Sequence, residues 1–329
     1  MNGQPLHSTS SCIKRSRGNT DRPRAAACPI LRFKNVTRRK AGLLALVVVV
    51  FVSLTTQVKA DDWKLVWSDD FKYHGPPDPK KWEYERGMVR NNEPQCYTRS
   101  PRNVRVENGH LVLEAVKGKV IDGEVFNPFR KKKVLEDRII QDYSSASICT
   151  LGRASWLYGR FEIRAKLPPQ AGTWPVFWTL GENRSRVGWP ECGEIDIMER
   201  MWQRNNDPMS GIMTVLHYQR LLHVKKTGQY KSPNFFRMTA MHGATTGFHV
   251  YAMEWYPDRI DFIMDGLLAN RVLMADIDNV TVDNPFRKPQ YLLLNLALNQ
   301  RNKGFREAVF PAQFLVDYVR VYQKSGAGL

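Results

Sequence analysis

Downstream of Trp63, apolar and polar residues alternate with a period of two in short runs broken by Gly, Pro, Asn and Asp. The clearest runs are 104–106, 110–116, 161–167, 212–218, 249–255, 260–264 and 291–298. A two-residue period sends successive side chains to opposite faces of a strand. Many short strands with turn residues between them predict an all-β sandwich or barrel. No long run carries a helical period, and no repeat or low-complexity linker divides the chain. Residues 117–138 break the alternation. With Lys131-Lys132-Lys133 and an Asn127-Pro128 turn, they read as a solvated surface loop or as a basic rim attractive to an anionic polysaccharide.

One run cannot be a strictly alternating strand. In Glu194-Ile195-Asp196-Ile197-Met198-Glu199, Glu194 and Asp196 share one face, with Ile195 and Ile197 on the other. Strict alternation would then bury Glu199, and an unpaired buried carboxylate costs on the order of several kcal/mol. One extra residue near Met198, a β-bulge, returns Glu199 to the acidic face; bulges often re-aim side chains beside active sites. The two glutamates are then about four strand steps apart, roughly 13 Å at ~3.3 Å per residue. Side-chain reach can narrow the carboxyl gap to about 5–6 Å, near the ~5–5.5 Å of a retaining glycosidase rather than the ~6.5–9.5 Å of an inverting one. Three acids in six residues also fit a solvated strand edge, but Trp189-Pro190 before and Met201-Trp202 after frame this run with apolar surface.

Alternation also nominates cleft-lining residues. Arg160, Glu162 and Arg164 share a face, backed by Phe161, Ile163 and Ala165; Trp174, Val176 and Trp178 share another, opposite Phe177. Flat indole rings cover the apolar C–H faces of a pyranose, so Trp174, Trp178 and nearby Trp189 are candidate sugar platforms, although any single Trp fits core packing equally well.

The acidic run resembles the catalytic signature of glycoside hydrolase family 16, in the bulged form typical of its β-1,3-glucanases, or laminarinases. The resemblance extends through 65–71 (LVWSDDF), 158–164 (YGRFEIR), 172–178 (GTWPVFW), 291–297 (YLLLNLA) and 316–322 (VDYVRVY). It implies a concanavalin-like jelly-roll β-sandwich of two curved antiparallel sheets with a concave cleft. It implies a retaining mechanism, with Glu194 as nucleophile, Glu199 as acid/base and Asp196 orienting Glu194, its charge helping to keep Glu199 protonated. No organic cofactor is required. Asn92 matches a family loop residue contacting sugar on the non-reducing side, though Asn-Asn is also ordinary turn chemistry. His217 either contacts sugar on the leaving-group side, as the resemblance implies, or is a buried, satisfied histidine. Asp317 matches a position that supplies a side chain to a structural calcium ion. One segment departs from the family: a Gly-Gly turn and a Trp usually follow the stretch matching Asn295-Leu296-Ala297, and Leu298-Asn299-Gln300-Arg301-Asn302-Lys303-Gly304 stands here instead. Galactan hydrolysis (agar, porphyran or carrageenan) therefore stays open beside β-1,3- or mixed β-1,3/1,4-glucan hydrolysis, as does a non-catalytic carbohydrate-binding sandwich.

Charge and length refine the picture. Of a formal +17 over 329 residues, the first 60 carry 11 Lys/Arg against one Asp, and the remainder 38 basic against 31 acidic residues. Most of the basicity thus lies in the leader, which argues against nucleic-acid binding. Arg38-Arg39-Lys40, the apolar stretch 41–54 and Val58-Lys59-Ala60 have the order of a secretory signal peptide cleaved after Ala60. The organisation expected is a leader over 1–60 and a hydrolase domain over 61–329, secreted or periplasmic, monomeric, with polysaccharide as partner and no stable membrane association. The alternative is an anchor formed by uncleaved 41–54, whose 14 residues fall short of the roughly 20 of a membrane span. Cys96, Cys149 and Cys192, outside the leader, allow at most one disulfide and show no metal-ligand spacing.

Overall fold

The computed structural model describes residues 62–122, 139–200, 212–218, 247–279, 281 and 283–324. The leader, the Lys131-Lys133 cluster and Met201-Trp202 lie outside the described residues.

The alternating runs pair into two sheets. The six-stranded sheet runs, in spatial order, Ile212–His217, Glu194–Arg200, Thr173–Gly181, Gln290–Leu298, Ser147–Cys149 and Glu83–Glu85. The ten-stranded sheet has the path Leu267–Leu273, Arg259–Met264, His249–Trp255, Gly159–Lys166, Ala312–Lys324, His110–Asp122, Ile139–Ser145 and Gln95–Tyr97, with Trp63–Asp69 and Val104–Glu107 attached beside it. Pairing is antiparallel except between Gln95–Tyr97 and Ile139–Ser145. Sequence neighbours often lie far apart in this order, as a jelly roll requires: 159–166 sits between 249–255 and 312–324. Part of the stretch read as a loop is strand, since 110–122 runs past Val116 and pairs with 139–145. The longest described α-helix is the five-residue Met274–Asp278, and no described helix is long and apolar enough to cross a membrane.

The inward faces of both sheets meet in one core. Phe161, Ile163, Ala165, Val316, Val319 and Val321 from one sheet pack with Phe177, Ile195, Ile197, Leu292, Leu294 and Leu296 from the other. A second, smaller cluster covers the opposite side of the six-stranded sheet: Cys149, Val176, Trp178, Leu180, Cys192, Tyr291 and Leu293. This sheet is therefore apolar on both sides, with its functional groups rising through the outer layer. The three described cysteines are buried, and burial pushes the Cys192 thiol up to about 11, a packing residue rather than a nucleophile.

Candidate active site

The acidic strand Glu194–Arg200 lies between Thr173–Gly181 and Ile212–His217. Against the first, Glu194 pairs with Leu180 and Asp196 with Trp178, and the register then slips so that Met198 faces Phe177 and Glu199 faces Val176. The register to 212–217 also breaks just after Asp196, between Asp196 and Glu199. Both breaks mark the expected bulge. Ile197 and Met198 both enter the core, and Glu199 shares the outer face with Glu194 and Asp196. Gly193 sets the strand's entry: its φ is +76°, and a Cβ there would lie 2.7 Å from Pro285.

Each glutamate is held by an indole N–H. Trp189 Nε1 donates to Glu194 Oε2 at 2.8 Å, and Trp174 Nε1 donates to Glu199 Oε1 at 2.8 Å. Trp189 is 49% exposed, and its ring packs against His217 with centroids 5.7 Å apart. His217 Nε2 lies 3.5 Å from Asp196 Oδ2 and 3.8 Å from Glu194 Oε1, so it borders the carboxylates rather than sitting in the core. Glu194, Asp196 and His217 each offer an atom within 4.8 Å of the others, close enough to touch one cation, but these are the atoms that carboxylate chemistry uses.

Burial dominates the electrostatics. Asp196 is held well above the usual carboxylate range by burial first, then by the charges of Glu194 and Glu199. Its side-chain hydrogen bond with Glu194 raises it further. Glu199 is pushed up to about 7 by burial and then by Glu194, against the lowering effect of the Trp174 hydrogen bond. The charge that raises Glu199 is that of Glu194, while Asp196 shares the acidic face and is itself raised by Glu199.

Several nominated residues lie elsewhere or do something else. Glu162 and Arg164 belong to the ten-stranded sheet, on its outer face. There Arg160 bridges Glu162 (2.5 Å) and Glu254 (2.6 Å), Tyr318 Oη donates to Glu162 (2.8 Å), and Arg164 pairs with Asp317 (2.7 Å). Alternation gave their shared face correctly, but it cannot say which sheet a strand joins. Trp178 is on the cleft side yet 5% exposed. Its N–H donates to Asn295 Oδ1 at 2.7 Å, and the Arg90 guanidinium covers its ring at 4.8 Å, so it is floor rather than platform. Arg90, which sequence reasoning did not single out, bonds buried Glu85. Asn295 continues the network to Tyr97 (3.1 Å), and Tyr97 to Glu93 (3.2 Å). Asn92 is exposed on the loop carrying Arg90, with φ +49°.

The calcium position fails a test of fit. Lys72 Nζ lies 3.2 Å from Asp317 Oδ1 and 3.4 Å from the Gly109 carbonyl oxygen, while Arg164 takes Oδ2. Burial would raise the Asp317 carboxyl, but the Arg164 and Lys72 hydrogen bonds outweigh it and hold it below its usual value. Two side-chain cations already neutralise the one carboxylate, so these residues do not suit a divalent ion.

The departing segment is well packed. Asn299 N–H bonds the Gly172 carbonyl at 2.8 Å, and Asn302 Oδ1 accepts from Gly304 N at 3.1 Å. Phe305 fills the space over Gly172, where a Cβ would meet it at 2.7 Å. Arg301 is exposed.

A two-sheet sandwich with paired, indole-held glutamates on one outer face defines a glycoside hydrolase. The chain belongs to the glycosyl hydrolases family 16, whose profile matches residues 91–318. It is 37% identical over 307 residues to a beta-glucanase of Rhodothermus marinus, covering 90% of this chain and 98% of that one. It is 33% identical over 282 residues to glucan endo-1,3-beta-glucosidase A1 of Niallia circulans, covering 79% of this chain and 38% of that longer one. The solved catalytic domain of a Thermotoga petrophila laminarinase superposes with a TM-score of 0.66 at 31% identity, over 81% of this chain and all of that one.

Proposed function

We propose that the protein is an endo-acting, retaining hydrolase of β-1,3- or mixed β-1,3/1,4-glucan. The observation that carries this is the bulge, which brings Glu194 and Glu199 to one face, with Glu199 pushed up to about 7 by burial and then by Glu194. Glu194 is held in place by the Trp189 indole N–H and by its hydrogen bond with Asp196. Its carboxylate attacks the anomeric carbon as the glycosidic C–O bond breaks, and Glu199 gives its proton to the leaving oxygen. Glu199, now ionised, then takes a proton from the water that cleaves the glycosyl-enzyme. Exposed Trp189 and His217 line the same ground. The glucan assignment is supported by the relatives named above. Export rests on the leader read over 1–60, and a monomer suits a single sandwich.

The test is hydrolysis of laminarin, mixed-linkage glucan, agarose and carrageenan, with the anomeric configuration of nascent product followed by NMR. Retained β-anomer from laminarin or mixed-linkage glucan is expected. Initial α-product would overturn the mechanism, and cleavage of the galactans alone would overturn the substrate. Activity on none of the four, with Glu194→Gln binding sugar as the parent does, would identify a binding sandwich. Glu199→Ala should slow glucan hydrolysis about 10²–10⁴-fold while sparing aryl glycosides whose leaving groups need no proton. Equal loss on both would remove Glu199 as the acid.

A further inference from the structure

Trp174 was nominated as a sugar platform, but its polar edge is committed elsewhere. Its N–H donates to Glu199 Oε1 at 2.8 Å, and its neighbour Thr173 is tied to the residue after Glu199: Arg200 NH2 donates to Thr173 Oγ1 at 2.7 Å. Arg200 is 1% exposed and also bonds the Pro168 carbonyl. Thr173 Oγ1 in turn donates to the Gln170 carbonyl at 2.7 Å. Two consecutive residues of one strand thus hold two consecutive residues of the next, one link on each face of the sheet. The second link fixes the backbone from which the indole reaches Glu199.

We infer that Trp174 is a positioning residue that decides which oxygen of Glu199 carries the catalytic proton. The inference rests on the proposed role of Glu199 as acid/base. A protonated carboxyl accepts hydrogen bonds at its carbonyl oxygen and donates from its hydroxyl. An N–H fixed on Oε1 therefore makes Oε1 the carbonyl oxygen and places the proton on Oε2. In the first step that proton passes from Oε2 to the glycosidic oxygen as the C–O bond breaks and Glu194 bonds the anomeric carbon. In the second, a proton of water returns to Oε2 as the bond to Glu194 breaks.

The same N–H is stronger toward the ionised carboxyl than toward the neutral one, so it eases deprotonation between the two steps. Among the described residues, the charged groups that interact with Glu199 are Glu194 and Asp196 on its own strand; His217, on the adjacent strand, lies against Glu194 and Asp196. The strand carrying Trp174 offers none, only Val176 and Trp178. Burial and Glu194 raise Glu199, and Trp174 is the donor that opposes them.

The experiment is the pH profile of kcat/KM for Trp174→Phe, with a matched variant carrying benzothienylalanine at 174, which keeps the bicyclic shape but lacks the N–H. Both should shift the alkaline limb upward by about one pH unit, the scale set by loss of one charge-assisted hydrogen bond. Both should also show a burst of aryl leaving group, because the step needing ionised Glu199 slows. If either folded variant keeps the parental limb and raises only KM, Trp174 is a sugar platform alone and the inference fails. Glu199→Gln separates this from failure of the underlying reading. If that variant retains activity with an unchanged limb, Glu199 is not the acid; if the limb vanishes there yet stays fixed in both Trp174 variants, only the positioning role is lost.

Discussion

Glu199 illustrates how a single carboxyl links activity to stability. Its folded pKa, about 7, lies above its ordinary 4.5, so folding takes up a proton. Such a group favours the folded state fully below pH 4.5, and this contribution is lost as pH rises through 7. Glu199→Gln, neutral at every pH, should therefore gain on the parent as pH rises, reaching about 3 kcal/mol above pH 8 for a shift of this size. Melting temperatures from pH 5 to 9 would show it; a constant difference between the two proteins would contradict the raised pKa. The alkaline limb of the parental kcat/KM profile should likewise fall near pH 7. The acids at this scale were legible because aiming Glu199 unpaired into the apolar core is too costly for strict alternation to hold. Glu162 and Arg164 misled because their pattern is that of any strand with one face buried, and sheet membership depends on pairing partners more than 80 residues away, such as 249–255 and 312–324. Arg90 gave no signal at all: its place over Trp178 follows from a loop path that local sequence does not specify.

At the scale of the element, one extra residue in the acidic strand does the aiming. Inserting an Ala after Met198 would carry the alternation one step further and turn Glu199 toward Phe177 and the core. The cost of an unpaired buried carboxylate is on the order of several kcal/mol, comparable to the whole stability of many domains. This insertion should abolish glucan hydrolysis and sharply lower the midpoint of urea unfolding, whereas Met198→Leu, which keeps the count and nearly the volume, should lose less than about 1.5 kcal/mol. An insertion variant of parental stability and activity would show that the residue count in this strand does not aim Glu199. The bulge could be read in advance because acids and isoleucines conflict within six residues. The packing of 299–305 could not, since Phe305 settles over Gly172 only through contact across more than 130 positions.

Across the whole molecule, the outer face of the ten-stranded sheet is closed by internal charge pairs, with Lys72 and Arg164 around Asp317. Chelation should therefore leave the melting temperature unchanged, and added calcium should not raise it. A fall with EDTA that calcium reverses would show that the ion displaces Lys72. The all-β class and most strands were legible from period-two patterning alone, but not that one sheet would be packed on both sides. That feature governs how the enzyme fails on heating. With Trp178, Val176 and Leu180 sealed on one side and Phe177 on the other, the strand 173–181 that flanks the paired glutamates has no loose layer from which to peel. Catalysis should thus persist undiminished up to the temperature at which the sandwich itself comes apart, with no inactive yet folded form in between.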